Sequence, residues 1–221
     1  MSAAPEPRED WVSRWQRVAR RIRVPLGFLA AALYIFELWR RDPNRLAIAS
    51  SLVLVVPGLW LRGYAAGTVK KNRELTTTGP YAYTRNPLYL GSMLIAAGFA
   101  AALLSWLVGT VLVLGFTVIY VPVIASEERF LRATFPGFDE YCRRVPRLIP
   151  RLAPAYPSHD DSHPAPGPED RAGGTAPQAG GFSLALYIKH REYNALLGAA
   201  LLYVCLIFLR PALGALLHRP R

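Results

Sequence analysis

Between Arg85 and Glu127 the chain runs for 41 residues without a charge. As one helix this run would be roughly 60 Å long, about twice the hydrocarbon thickness of a bilayer. It therefore has to fold back once, and Leu104-Ser105-Trp106 is where the sequence best allows a turn. Folding back returns both ends to one membrane surface, so Arg85, Asn86 and Tyr89 come close to Glu127 and Glu128. A helix start facing a pair of carboxylates at one surface has the makings of a site.

The rest of the chain fits a small polytopic membrane protein, an all-α bundle. Of its 221 residues, 52% are hydrophobic and only 19% are charged, too apolar for an average soluble domain. Five apolar stretches (24–39, 46–66, 88–104, 106–125 and 195–217) predict about five transmembrane helices, with interfacial helices on the cytoplasmic side. Arg210-Pro211 interrupts the last stretch. With the N-terminus cytoplasmic, segments 1–23, 62–87 and 126–192 hold 20 of the 26 Lys and Arg residues. That asymmetry obeys the positive-inside rule, apart from the RRDPNR loop at 40–45. The net charge of +11 is thereby read as anchoring to membrane lipids, and nucleic acid is not expected as a partner. Cys142 and Cys205 fall in different compartments and predict no disulfide. Oligomeric state leaves no mark in the sequence.

Four parts are expected. Residues 1–23 are a disordered tip and an interfacial amphipathic helix, with Trp11, Trp15, Val18 and Ile22 on one face and Arg14, Arg17 and Arg21 on another. Residues 24–152 form the membrane core, with kinks expected at Pro57-Gly58 and Pro122. Residues 153–181, rich in Pro, Gly and Ala, read as a disordered linker, and its HDDSH at 159–163 as solvated linker rather than a metal site. Residues 182–221 return to the membrane through FSLALYIKHREYN and a last helix. No metal site is expected.

The chemistry concentrates in TTTGPYAYTRNPLYLGS. Gly79-Pro80 is a turn, and Asn86-Pro87 is a helix start, with Asn as cap and Pro in the first helical position. Such an end favours an anion through its N–H groups and dipole. Arg85 adds charge, and Tyr81, Tyr83 and Tyr89 add ring faces and hydroxyls. Across the hairpin, Glu127 and Glu128 suit a cation, a sugar hydroxyl or an amine. S-adenosylmethionine carries all these features; a zwitterionic lipid headgroup carries a similar set.

From about Arg62 to Leu152 the chain resembles the isoprenylcysteine carboxyl methyltransferase and phospholipid methyltransferase-like membrane proteins. The matching residues are GPYAYTRNPLYLGS and EERFLRATFPGFDEYCRRVP, in order and separated by the uncharged hairpin. The resemblance implies methyl transfer from S-adenosyl-L-methionine to a lipidic or isoprenylated acceptor, on a carboxylate or an amine. It implies a cytoplasmic cofactor pocket reached by the acceptor from the bilayer. Carried over residue by residue, it implies cofactor contacts at Leu75, Thr76, Tyr81, Asn86, Pro87, Leu88, Tyr89 and one of Glu127 and Glu128. Glu127, Glu128 and Arg85 are the candidate catalytic residues. Asn86 stands where the family more often has His. The turn before the glutamates reads VPVIA, without the Arg that the carboxyl methyltransferases use for the substrate carboxylate. Two other readings are an NADPH-dependent enzyme like the sterol reductases and a non-catalytic lipid-binding protein on the same scaffold. A multi-pass protein of a bacterial inner membrane is the expected setting.

Overall fold

The uncharged run does fold back at Leu104. In the computed structural model, which describes residues 11–41, 44–69, 75–156 and 181–209, helix α3 (Pro87–Leu103) ends there and α4 (Trp106–Gly115) begins two residues later. Leu104 takes the left-handed conformation, with φ of 50°. Ser105 caps α4 by accepting a hydrogen bond from the Val108 amide. The N-terminal tip 1–10, the HDDSH segment and Arg210-Pro211 lie outside the described residues, as do the side chains expected to form the amphipathic face of 11–24.

Every described element is helical. α1 (Trp11–Arg40) and α2 (Arg45–Thr68) precede a 3-10 turn at Gly79–Ala82. After α3 and α4 come a π turn (Phe116–Tyr120) and α5 (Val121–Thr134). α6 (Phe138–Arg144), α7 (Leu184–Lys189) and α8 (Tyr193–Val204) complete the fold. All five apolar stretches are helical where described, but length and composition qualify only two as spans: Arg45–Thr68 and the continuous helix Trp106–Thr134. α3, at 17 residues, is about 25 Å long and falls short of the hydrocarbon thickness.

Both prolines at which kinks are expected lie inside helical segments. α2 is a continuous helix through Pro57. At Pro122, which lacks an N–H and crowds the preceding turn, the helix widens into the π turn, where the Val121 amide bonds the Phe116 carbonyl five residues back.

Small residues set the spacing at the centre of the bundle. A Cβ on Gly58 would stand 2.8 Å from the Gly91 carbonyl oxygen, and one on Gly98 would stand 2.9 Å from that of Ser51. α2 and α3 thus pack backbone to backbone, the contact that small residues permit between membrane helices. Around it lies a core of Tyr34, Leu38, Val55, Phe99, Leu103, Val108 and Leu206, drawn from α1, α2, α3, α4 and the end of the last helix. Polar bonds lock the registers. The Tyr34 hydroxyl donates to the Phe99 carbonyl (3.3 Å), and the Ser51 and Tyr203 hydroxyls share a 2.7 Å bond.

Two of the three arginines of the RRDPNR loop find partners at the hairpin tip. Glu37 is buried and accepts from Ser105 Oγ (2.7 Å) and Arg41 Nε (2.9 Å). Arg41 Nη1 also donates to the Leu104 carbonyl (3.0 Å), and Arg40 lies 3.5 Å from Glu37. These two arginines share a carboxylate and cap the turn.

Replacing Gly91 by Val should push α2 from α3, since its Cβ would meet the Gly58 oxygen and Arg62 Cγ at 2.7 Å. The expected cost is about 3 kcal/mol, read as a lowered thermal midpoint in detergent; an unchanged midpoint would disprove the backbone contact.

Candidate functional site

The start of α3 and the C-terminal half of α5 meet around a cavity of about 330 Å³. Leu75, Thr76, Tyr81, Arg85, Asn86, Pro87, Leu88, Tyr89, Glu127 and Glu128 all line it, so the structure brings together the ten residues expected as cofactor contacts or catalytic groups. Tyr83, also expected to add its ring and hydroxyl, is exposed and lies outside the wall. Val69, Phe130, Leu131, Phe135, Phe138 and Tyr141 complete the wall.

Local chain geometry explains how they arrive there. Gly79 takes φ of +58°, which costs glycine little, and Pro80 then starts the 3-10 turn that buries Tyr81. The next segment, 82–85, is pinned to residues 146–155. The Arg85 amide donates to the Pro146 carbonyl (2.9 Å), the Arg151 amide to Tyr83 (3.0 Å) and the Ala155 amide to Ala82 (2.9 Å). Thr84 Oγ1 donates to the Arg147 and Leu148 carbonyls. The Tyr141 hydroxyl reaches the Tyr81 carbonyl (2.8 Å), and Phe138, Tyr141 and Val145 form a small core with Leu75, Ala155 and Tyr156. Burial pushes the Tyr141 phenol up, and burial followed by the charge of Glu127 does the same to Tyr81, so both remain protonated hydroxyls.

Asn86 corrects one expectation. It occupies the N-cap position of α3, but its side chain makes no capping bond; its amide Nδ2 donates instead to the Arg147 carbonyl at 3.0 Å. The positive end of α3 therefore opens on the cavity through Pro87, Leu88 and Tyr89 without a side-chain cap.

The two glutamates have different surroundings. Glu128 is 6% exposed. It accepts from Arg147 through both carboxylate oxygens, with Nε at 3.1 Å, and lies 3.3 Å from Arg85 Nη1. This holds the Arg147 guanidinium above its ordinary range. Glu127 is exposed and accepts from the Tyr89 hydroxyl at 2.8 Å. Of the expected pair, Glu128 is thus charge-compensated by two guanidiniums, and Glu127 is the carboxylate left exposed at the cavity. Arg85 is partly committed: Nη1 reaches Glu128 and Cys142 Sγ (2.6 Å), but its Nε is buried with no hydrogen-bond partner.

An aromatic ladder leads away from Glu127 toward the membrane interior. Tyr89 stands edge to face with Tyr120 at 5.4 Å, and Tyr120 stacks on Phe116 at 5.1 Å. Both partners belong to the π turn. Sequence reasoning missed Arg147, although it directly follows the RRVP that closes the second matching motif. It also missed the wall of Phe138 and Tyr141, although both lie within the second matching motif and among aromatics that alternate with arginines.

His190, which precedes the last helix, lies outside the cavity wall, its Nδ1 2.8 Å from the Ala66 carbonyl. Nearby, Arg62 in α2 makes a bidentate pair with Glu192 (2.8 and 2.9 Å) and donates to Ser92 of α3, fastening the C-terminal segment to the bundle. Among the described residues, no three His, Cys, Asp or Glu side chains are grouped to hold a metal ion.

The hairpin and most of its cavity wall fall within the part of the chain that resembles known proteins. Residues 46–137 match the phospholipid methyltransferase family, to which the isoprenylcysteine carboxyl methyltransferase-like proteins that the motifs resemble also belong. Two curated proteins are similar over 95 residues. One, from Cupriavidus metallidurans, is named cobalt-zinc-cadmium resistance protein CzcN and is 44% identical, over 43% of this chain and 43% of its own. The other, from Alcaligenes xylosoxydans xylosoxydans, is named nickel-cobalt-cadmium resistance protein NccN and is 41% identical, over 43% of this chain and 44% of its own. The similarity therefore spans less than half the length of either relative. No solved structure matches the chain.

Substituting Glu128 by Gln strands two guanidiniums at one carboxamide and should cost about 2–3 kcal/mol. Glu127→Gln, at an exposed position, should leave stability within about 0.5 kcal/mol of wild type. Thermal denaturation of both variants in one detergent checks the ranking, and equal losses would contradict the separation of roles.

Proposed function

We propose that this protein is a membrane enzyme that uses S-adenosyl-L-methionine to methylate a lipidic acceptor at the cytoplasmic face. The observation that carries this reading is the convergence, in one cavity, of an uncapped helix start, the Arg85 side chain and the exposed Glu127.

The residues present fit the cofactor. A carboxylate suits the start of α3 and the guanidinium of Arg85. An ammonium or ribose suits Glu127, and an adenine suits the wall of Leu131, Phe135, Phe138 and Tyr141. Bound there, the cofactor would supply an electrophilic methyl group, leaving the protein to align, dehydrate and admit the acceptor. The ladder Tyr89–Tyr120–Phe116 offers a lipid headgroup an aromatic approach from the hairpin surface to Glu127.

The geometry favours an amine acceptor over a carboxylate. Arg147 is held by Glu128, and Val121–Ala125 contains no base, so beyond Arg85 the cavity wall offers no further guanidinium to an acceptor carboxylate. Glu127 offers an amine a counterion and a place for the proton released when nitrogen is methylated. In this reading five helices cross a bacterial inner membrane, with the N-terminus in the cytoplasm and the short α3 held across it by its close contact with α2. The metal-resistance names of the two relatives bear on this chain only as a setting; modification of a membrane lipid is the chemistry this cavity offers.

Calorimetric titration of S-adenosylmethionine into the full chain in lipid nanodiscs tests the reading. Saturable binding, weakened about tenfold in Glu127→Gln, is expected, followed by transfer of labelled methyl into an amine-bearing lipid. A folded wild type that binds no cofactor with lipid present would refute it, and NADPH would be the next ligand to try.

A further inference from the structure

The loop that seals the cavity also exposes a small apolar tip. In RRVPRLIPRL (143–152), Ile149 is 82% exposed and Leu152 is wholly exposed. Isolated exposed apolar residues are commonplace, but these belong to a segment held firmly in place. The amides of Arg85, Arg151 and Ala155 and the Thr84 hydroxyl bind this strand to 82–85, and Pro146 and Pro150 fix its φ angles. The chain spends several hydrogen bonds on holding two large aliphatic side chains outward.

Their surroundings are basic. Arg143 and Arg144 share the single carboxylate of Glu140, and Arg147 and Arg85 share that of Glu128. Each group is left with one net positive charge. Arg151 donates to the Arg144 carbonyl rather than to a carboxylate and adds its own charge. The position is also fixed: the Asn86 amide bonds the Arg147 carbonyl at the first turn of α3, so the loop lies level with the membrane helix's start. An aliphatic tip with surplus guanidiniums at that level matches the boundary between acyl chains and anionic headgroups.

We propose that the 146–152 loop is a membrane-docking element that inserts Ile149 and Leu152 into an anionic lipid surface beside the cavity. The arginines hold headgroup phosphates and the two side chains enter the acyl boundary. This proposal is independent of whether the cavity is catalytic, and its test needs no turnover.

The full chain, carrying Cys142→Ala and Cys205→Ala with either Ile149→Cys or Leu152→Cys, is labelled with an environment-sensitive fluorophore. It is then placed in nanodiscs of phosphatidylcholine with or without phosphatidylglycerol. Both label positions are exposed, so either substitution should be tolerated. Lipids carrying a quencher high on the acyl chain should remove roughly half of the emission. That quenching should weaken without phosphatidylglycerol and in Arg143→Gln, Arg151→Gln protein. A photo-crosslinking residue at position 152 in the native-cysteine chain should form adducts with lipid. Emission quenched by aqueous iodide but not by lipid would overturn the assignment. So would protection from both quenchers or crosslinks to protein, which would make the occupant another polypeptide segment.

Discussion

Glu128 is the point on which the cavity end of this molecule depends. Its carboxylate lies in α5, Arg85 directly precedes the start of α3, and Arg147 belongs to the loop after α6. Three segments far apart in sequence are thus tied at one buried charge. Taking an ion from water is expensive, and the attraction recovers that cost only when geometry and further bonds are good. Here two guanidiniums approach one carboxylate, and the Arg147 carbonyl also receives the Asn86 amide. The consequence is specificity: the hairpin's two ends cannot slide past each other without uncovering charge. The cavity beside this knot takes its shape from it.

A second buried carboxylate performs the matching task at the opposite end. Glu37, with Arg40, Arg41 and Ser105, fixes the hairpin turn against α1. Between these ends the helices are held by dispersion and close backbone approach at Gly58, Gly91 and Gly98, because lipid supplies little hydrophobic force between helices. The polar bonds at the ends therefore set register, and the glycines set distance.

How much of this could be read in the sequence depends on the range of each interaction. The fold-back near Leu104 was legible because length and charge alone forbid a single straight helix. The ten cavity residues were legible because each half of the site is contiguous in sequence, and the hairpin brings the halves together. The roles within the site were not. Glu127 and Glu128 are chemically identical neighbours, distinguished by which partners reach them; one of these, Arg147, approaches Glu128 from 19 residues downstream in an irregular segment without periodicity. Asn86 read as a cap because Asn usually caps, but here the Arg147 carbonyl competes for its side chain. The count of spans was beyond reach for a different reason. Apolar runs near the length threshold are helical either way, and only their packing distinguishes them.

The π turn ties the hairpin's geometry to its chemistry. A proline one turn before the glutamates would normally cost a helix a hydrogen bond and introduce strain. By widening at Phe116–Tyr120, the helix accommodates Pro122 and rotates α5 relative to α4. That adjustment leaves Tyr120 stacked on Phe116 one turn below and edge to face with Tyr89, whose hydroxyl holds Glu127. Each member of the series is only partly buried, and every ring presents a face or an edge beside the hairpin surface. An apolar lining would admit an acyl chain but give a cationic headgroup nothing to exchange for water. Aromatic faces offer partial compensation at each step, and the carboxylate at the end offers the rest. The π turn therefore aligns the aromatic series with the carboxylate at the cavity, the path that the proposed function assigns to a lipid headgroup.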